Sequence, residues 1–242
     1  MSKFLDYCKK HRQLMAPHRH FTIYLGGGMS VKLYLTARGV KPLPKKVSST
    51  SDFDFTFAVS HPLTPAEVEK YSYEMYNTMY TFLKGYIRPD KLKIKSYARK
   101  SYIPASGKRT YHVVQFKDEK GEDFVDCTLA YIPGMAYNKI NTPVSKIYGL
   151  PIKKLKYMYK DVLVVLAGSF VYKKILSRNP LGKNDPEKGR RNMARVAALQ
   201  KVKVSSPKTL RTTEFLKAVR AKNKALATSK AKAIIQSISK AK

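Results

Sequence analysis

The sequence predicts an α/β (α+β) fold: a mixed sheet with flanking helices, followed by a helical C-terminal region and a basic tail. Three observations predict it. Residues 21–57 read as strand, glycine turn, helix and second strand. Residues 111–132 read as a hairpin, with YHVVQF and FVDCTLAYI bracketing an acidic turn around Gly121. From Tyr137 to Leu199 the apolar spacing becomes mostly helical. The expected organisation is a core over 1–136, a helical region packing on it over 137–200, and a basic helical or disordered extension over 201–242.

In chain order, residues 1–20 read as a helical or loose basic stretch. His18 and His20 flank Arg19. With no Cys or further His beside them, they read as a polar edge or a phosphate contact rather than a zinc site. Phe21 to Leu25 is strand-like and breaks at Gly26-Gly27-Gly28, and a short helix carrying Val31, Leu33, Tyr34 and Leu35 starts near Ser30. The connecting RGVKPLPKKVSSTS holds Lys41, Lys45 and Lys46 with two prolines. It reads as an exposed loop, either solubilising or tracking phosphates. Extended structure resumes at Ser51-Asp52-Phe53-Asp54-Phe55.

Thr64 to Tyr86 makes a helix with Thr64 as N-cap, Pro65 at its first position, Glu67 closing a capping box and Gly85 at its end. Its Tyr71, Met75, Met79, Phe82 and Leu83 keep a helical period, and Tyr73, Tyr76 and Tyr80 widen that stripe. Core packing is the ordinary meaning of such a stripe, and base stacking the functional one. KLKIKSYARKSY then alternates basic and apolar residues, a strand with Lys91, Lys93 and Lys95 on its outer face. That row reads as a protected edge or a nucleic-acid track.

Farther on, Val162 to Gly168 reads as a core helix, begun at Pro151 and with Gly168 as a possible break. Asp185 caps another helix before Pro186. Beyond Leu199, residues 201–242 carry twelve Lys and Arg and one acid. This tail reads as a basic amphipathic extension that binds polyanions.

Composition bounds the partners. The chain has 242 residues, with 48 Lys and Arg against 16 Asp and Glu, a formal net charge of +32. Such a field favours nucleic acid. An anionic membrane surface is the weaker reading, because no apolar run is long enough to cross a bilayer. Two well-separated cysteines, Cys8 and Cys127, argue against a disulfide framework and for a reducing, intracellular compartment. MSKFLDYCKKHRQ lacks the apolar segment of a signal peptide.

The chemistry gathers at two motifs. Strand alternation puts Asp52 and Asp54 on one face and Phe53, Phe55 and Phe57 on the other. Two neighbouring carboxylates repel unless a cation lies between them, and Mg²⁺ bound by carboxylates and substrate phosphates is the usual remedy. A glycine turn before a helix lets backbone amides approach an anion closely. Asp126, set among apolar residues in VDCTLAYI, has few structural uses unless it joins the other two carboxylates.

YLGGGMSVKLYL followed by TSDFDF resembles the nucleotidyltransferase superfamily (the polymerase-beta-like fold), and within it the poly(A)-polymerase-like proteins of large DNA viruses. The resemblance covers roughly the first 200 residues. It implies a nucleotidyltransferase-like mixed sheet. It also implies catalytic and metal-binding roles for Asp52, Asp54 and Asp126, with Mg²⁺ or Mn²⁺ at a two-metal site. Gly27, Gly28 and Ser30 would hold the nucleotide's phosphates, and on the resemblance Lys183, Lys188, Arg191 and Arg195 face the triphosphate or the RNA backbone. Lys41, Lys45, Lys46, Lys93 and Lys95 join Arg195 as nucleic-acid contacts.

The activity implied is addition of nucleotides from a nucleoside triphosphate, ATP favoured, to an RNA 3′ end or another nucleic acid. A viral protein partner and a place in the host cytoplasm (virus factory) or the virion go with it. The alternative is a catalytically weak or inactive nucleotidyltransferase fold that serves as a basic nucleic-acid-binding or virion packaging protein. Met29 at the phosphate turn and the polyanion-coating tail speak for that alternative.

Overall fold

The structure, a computed structural model, describes residues 2–50, 52–103, 108–132, 147–202 and 207–239. These form two compact units, one of Met1–Gly39 and Thr50–Lys154, the other of Val40–Ser49 and Leu155–Lys242. The class is α+β.

In the first unit, helix α1 (Ser2–Lys10), strand β1 (Thr22–Leu25) and helix α2 (Gly27–Ala37) lead to strand β2 (Phe53–Val59). Helix α4 (Pro65–Leu83) follows, then β3 (Lys93–Ile103), β4 (Lys108–Lys117) and β5 (Asp123–Tyr131). The five strands run in the order β1-β2-β5-β4-β3. The β2–β5 pair is parallel and the other three pairs are antiparallel, so the sheet is mixed.

Period-2 alternation divides the sheet into two faces. One face carries Phe53, Phe55, Phe57, Val125, Cys127, Leu129, Val114 and Phe116, all buried. Helix α4 packs on β4 and β5 and buries its own Tyr71, Met75, Met79, Phe82 and Leu83. Its first turn is closed by the expected capping box, with Thr64 Oγ1 accepting from the Glu67 N–H. Phe4 of α1 meets Phe53 and Phe124 edge-on at 4.8 Å, so the N-terminal stretch is a packed helix. Both cysteines are free and buried, and burial pushes the Cys8 thiol up to about 12.

Several boundaries differ from the sequence reading. Helix α2 begins at Gly27 rather than near Ser30, because Gly26 is extended and Gly27 turns the chain at φ +60°. Pro151 does not start a helix. Its carbonyl accepts from the Leu25 N–H, and Ile152 bridges Leu25 in parallel, so residues 151–153 run beside β1. Lys91 lies in a short 3₁₀ turn before β3 and drops out of the expected lysine row. Residues 137–146 of the expected helical region lie outside the described residues.

The second unit is helical. The expected loop after α2 contains a one-turn helix, α3 (Lys45–Ser48), whose Val47 is wholly buried. It packs with α5 (Leu155–Val171), α6 (Pro186–Lys201), α7 (Pro207–Arg220) and α8 (Lys224–Ser239) as one unit. Gly168 does not break α5 but lies inside it, where a Cβ would come within 2.6 Å of Ile175 Cδ1. Asp185 caps α6 by accepting from the Lys188 N–H at 3.0 Å. In the tail, Phe215, Leu216 and Val219 of α7 and Ala227, Ala231, Ile234 and Ile235 of α8 are buried. No described helix is long and apolar enough to cross a membrane.

Candidate active site

The face of the sheet opposite the phenylalanines carries the carboxylates. In the parallel β2–β5 pair, Asp54 stands directly opposite Asp126. In-register residues on neighbouring strands project to the same side, so the two carboxylates share one face, about 4.8 Å apart in the backbone. Both are half-buried. The row continues: Gln115 of β4 pairs with Asp126, and Lys95 of β3 pairs with Gln115. At the other end Gly26 donates its N–H to the Asp54 carbonyl at 2.7 Å. One line of residues, Gly26, Asp54, Asp126, Gln115 and Lys95, thus runs across the whole sheet.

The glycine turn is fitted to this row. A Cβ on Gly27 would lie 1.7 Å from Asp54 Oδ2, so only glycine lets the carboxylate rest against the turn. The positive φ at Gly27 demands the same residue independently. Ser30 is engaged within the helix. Its N–H donates to the Gly26 carbonyl at 3.3 Å and its hydroxyl to the Gly27 carbonyl at 3.0 Å. Helix geometry leaves the Gly27, Gly28 and Met29 amides, not that of Ser30, without an acceptor inside the helix. The Met29 side chain is wholly buried. Lys32, its ammonium pushed down by burial, donates to the Thr50 carbonyl at 2.9 Å and ties α2 to the segment that leads into β2.

Asp52 precedes β2 and is half-buried. The pairing joins Asp54 with Asp126 only, and among the described residues no three Asp, Glu, His or Cys side chains converge as a metal-holding group. The pair nonetheless fits Mg²⁺, an ion commonly held by one or two carboxylates together with substrate phosphates. Gly27, having no side chain, leaves one Asp54 carboxylate oxygen close against the turn.

Two residues of this face escaped the sequence reading. Gln115 Nε2 donates to Asp126 at 3.1 Å (Oδ1) and 3.3 Å (Oδ2). Its position opposite Asp126 in the hairpin was the available signal, had the register been counted from the turn at Gly121. Lys153 is almost wholly buried, with its Nζ 4.0 Å from the centroid of the Tyr24 ring. No motif marks it.

The remaining basic residues are distributed as follows. Lys93 and Lys95 are exposed on edge strand β3, and the Lys95 ammonium lies 5.9 Å from the Tyr97 ring. Lys41 and Lys45 are exposed in the second unit, where Lys46 pairs with Glu187 at 2.7 Å. Lys188 is exposed and 3.4 Å from Asp185 Oδ2, which helps hold the Asp185 carboxyl below the usual range after the Lys188 N–H bond. Arg191 stands on the same helix, and Arg195 donates to Asn192 Oδ1 at 3.1 Å. Lys183 is exposed ahead of that helix.

No family model and no curated protein matches the chain. Among solved structures, the Megavirus polyadenylate synthase is similar at 14% identity and a TM-score of 0.49 over 82% of this chain. The chain spans only 33% of that protein's length. JHP933 from Helicobacter pylori is similar at 13% identity and a TM-score of 0.33, covering 99% of this chain and 91% of its own.

Proposed function

We propose that the chain is a metal-dependent nucleotidyltransferase that adds nucleotides from a nucleoside triphosphate to an RNA 3′ end. The observation that carries this reading is the in-register pairing of Asp54 with Asp126, with Gly27 pressed against the Asp54 carboxylate. Two half-buried carboxylates side by side are a donor set that a divalent cation binds together with substrate phosphates. A glycine turn opening a helix beside them supplies backbone donors for an anion. Together they make a site for a triphosphate carried with its metal.

Bound Mg²⁺ would neutralise phosphate charge and favour the ionised form of an attacking hydroxyl. Asp54 and Asp126 would hold it, with Asp52 joining from the segment just before β2. Gln115 fixes the Asp126 carboxylate through two donated hydrogen bonds, so that its oxygens keep one orientation. The Gly28 and Met29 amides face the phosphates. Acceptor RNA lies toward the β3 edge, where Lys93 and Lys95 are exposed and Tyr97 offers a ring face. Positioning and charge neutralisation account for the catalysis.

The test is extension of a short labelled RNA with ATP and Mg²⁺ or Mn²⁺ by the wild type and by an Asp54→Ala/Asp126→Ala double variant. Extension by the wild type that disappears in the variant is expected. A second reading, a nucleic-acid-binding body without turnover, draws on the second unit, whose only acids are Asp161, Asp185, Glu187 and Glu214. Equal RNA binding by both proteins with no extension by either would favour it.

A further inference from the structure

Lys153 keeps 3% of its surface exposed, whereas every other lysine whose burial is described is half-buried or exposed. Taking an ammonium out of water is costly unless the surroundings return the loss. Part of the return is visible: the Nζ lies 4.0 Å from the centre of the Tyr24 ring, itself 2% exposed. Packing alone would be served better by an apolar side chain.

The register shows where this charge sits. Tyr24 pairs with Thr56, two residues along β2 from Asp54, so the Tyr24 ring and the Asp54 carboxylate are on one face of the sheet. Ile152 bridges Leu25 in parallel, which brings Lys153 level with Gly26 at the start of the glycine turn. The ammonium therefore flanks the turn on the carboxylate face. Lys93 and Lys95 stand at the opposite end of the same face, across Asp126 and Gln115.

We infer that Lys153 is the residue that holds the terminal phosphates of the nucleoside triphosphate, and that it sets a preference for triphosphate over monophosphate. The inference rests on the reading of this site as a nucleotide site and assigns the phosphate end of the nucleotide to the β1 side. A triphosphate brings more negative charge than the carboxylate-held metal cancels. The α-phosphate must lie at Asp54 and Asp126, and the rest of the chain of phosphates then runs over the glycine turn toward Lys153. A fixed ammonium held by the Tyr24 ring needs little ordering on binding. Acceptor and nucleotide thereby approach from opposite edges of the sheet.

The experiment measures equilibrium binding of a non-hydrolysable ATP analogue and of AMP, with Mg²⁺ present, by the full chain and by Lys153→Met. The expected result is a loss of about ten-fold or more in affinity for the triphosphate analogue. AMP affinity and binding of single-stranded RNA should stay within about two-fold. An unchanged triphosphate affinity, or an equal loss for analogue and AMP, overturns the role of Lys153 while leaving the proposed function standing. Failure of the wild type to bind the analogue with any divalent cation overturns both. Should Lys153→Met lose its cooperative thermal transition, the wild type decides through ¹H–¹⁵N spectra of its lysine ammonium groups, with Lys153 assigned by Lys153→Arg. The Lys153 resonance should move with the triphosphate analogue and not with adenosine. A resonance that stays in place with the analogue overturns the inference.

Discussion

The two units use charge in opposite ways. On the carboxylate face of the sheet, two half-buried acids stand in register on adjacent strands, and a glycine and a glutamine shape their surroundings. In the helical unit, the few acids are spread singly among bases: Glu187 takes both Lys46 and Arg190, Asp185 takes Lys188, and Glu214 takes Lys230. Those pairs lie at the surface, partly open to solvent, and contribute little to stability. The first arrangement is the one that the proposed transfer reaction would use. The second leaves a surplus of bases over acids, which would suit a surface that gathers polyanions.

The largest effect should separate these roles outright. Asp126→Asn preserves size but removes the paired charge, and nucleotide transfer should fall at least about a thousand-fold. RNA affinity, read by a filter or fluorescence titration, should hardly change. A parallel loss of RNA binding would dissolve the contrast between the units.

Gly27→Ala attacks the same site through the backbone. The new Cβ meets Asp54 Oδ2 at a φ that alanine resists, so the carboxylate or the turn must move. A displacement of this size costs about a hundred-fold in turnover. Transfer kinetics beside a thermal melt would check it. Wild-type rates from a folded Gly27→Ala protein would show that the turn and the carboxylate do not work together.

Gln115→Leu sharpens the comparison from the residues that support the carboxylates. Without its two hydrogen bonds to Asp126, Mn²⁺ binding should weaken about ten-fold to a hundred-fold, measured by electron paramagnetic resonance titration. The smallest effect belongs to the helical unit. Lys217, Arg220, Lys222 and Lys224 are exposed around the turn between α7 and α8, with no acid among them. Replacing all four with Gln should flatten the slope of log affinity against log salt for single-stranded RNA by up to about 3, roughly 0.7 for each phosphate no longer neutralised. Transfer to a short primer at saturating concentration should survive.

Much of this was legible in the chain itself, and the gaps have physical reasons. The capping box at Thr64 and Glu67, the hairpin around Gly121 and the burial of Phe53, Phe55 and Phe57 follow from local rules of capping, turn chemistry and alternation. The pairing of Asp54 with Asp126 is non-local, and the sequence pointed to it through alternation within each strand and through family resemblance rather than through contact. The helix start was not legible to the residue: it lies three residues before Ser30, so the Ser30 amide and hydroxyl bond inside the first turn. Lys153 was invisible because a buried lysine has no pattern: its neighbours PIKKLKY read as the start of a basic helix, and only the bridge to Leu25 turns the segment into an extended edge. The tail, read as a basic amphipathic extension, has Phe215, Ile234 and Ile235 on its buried side.

The most direct measurement is anomalous diffraction from crystals grown with Mn²⁺ and a non-hydrolysable triphosphate. The account predicts a Mn²⁺ peak between the Asp54 and Asp126 carboxylates, about 2.2 Å from an oxygen of each, with the phosphates over Gly27 and Gly28. Bound triphosphate with no metal between those two side chains, or a metal held elsewhere with the pair left apart, would contradict it.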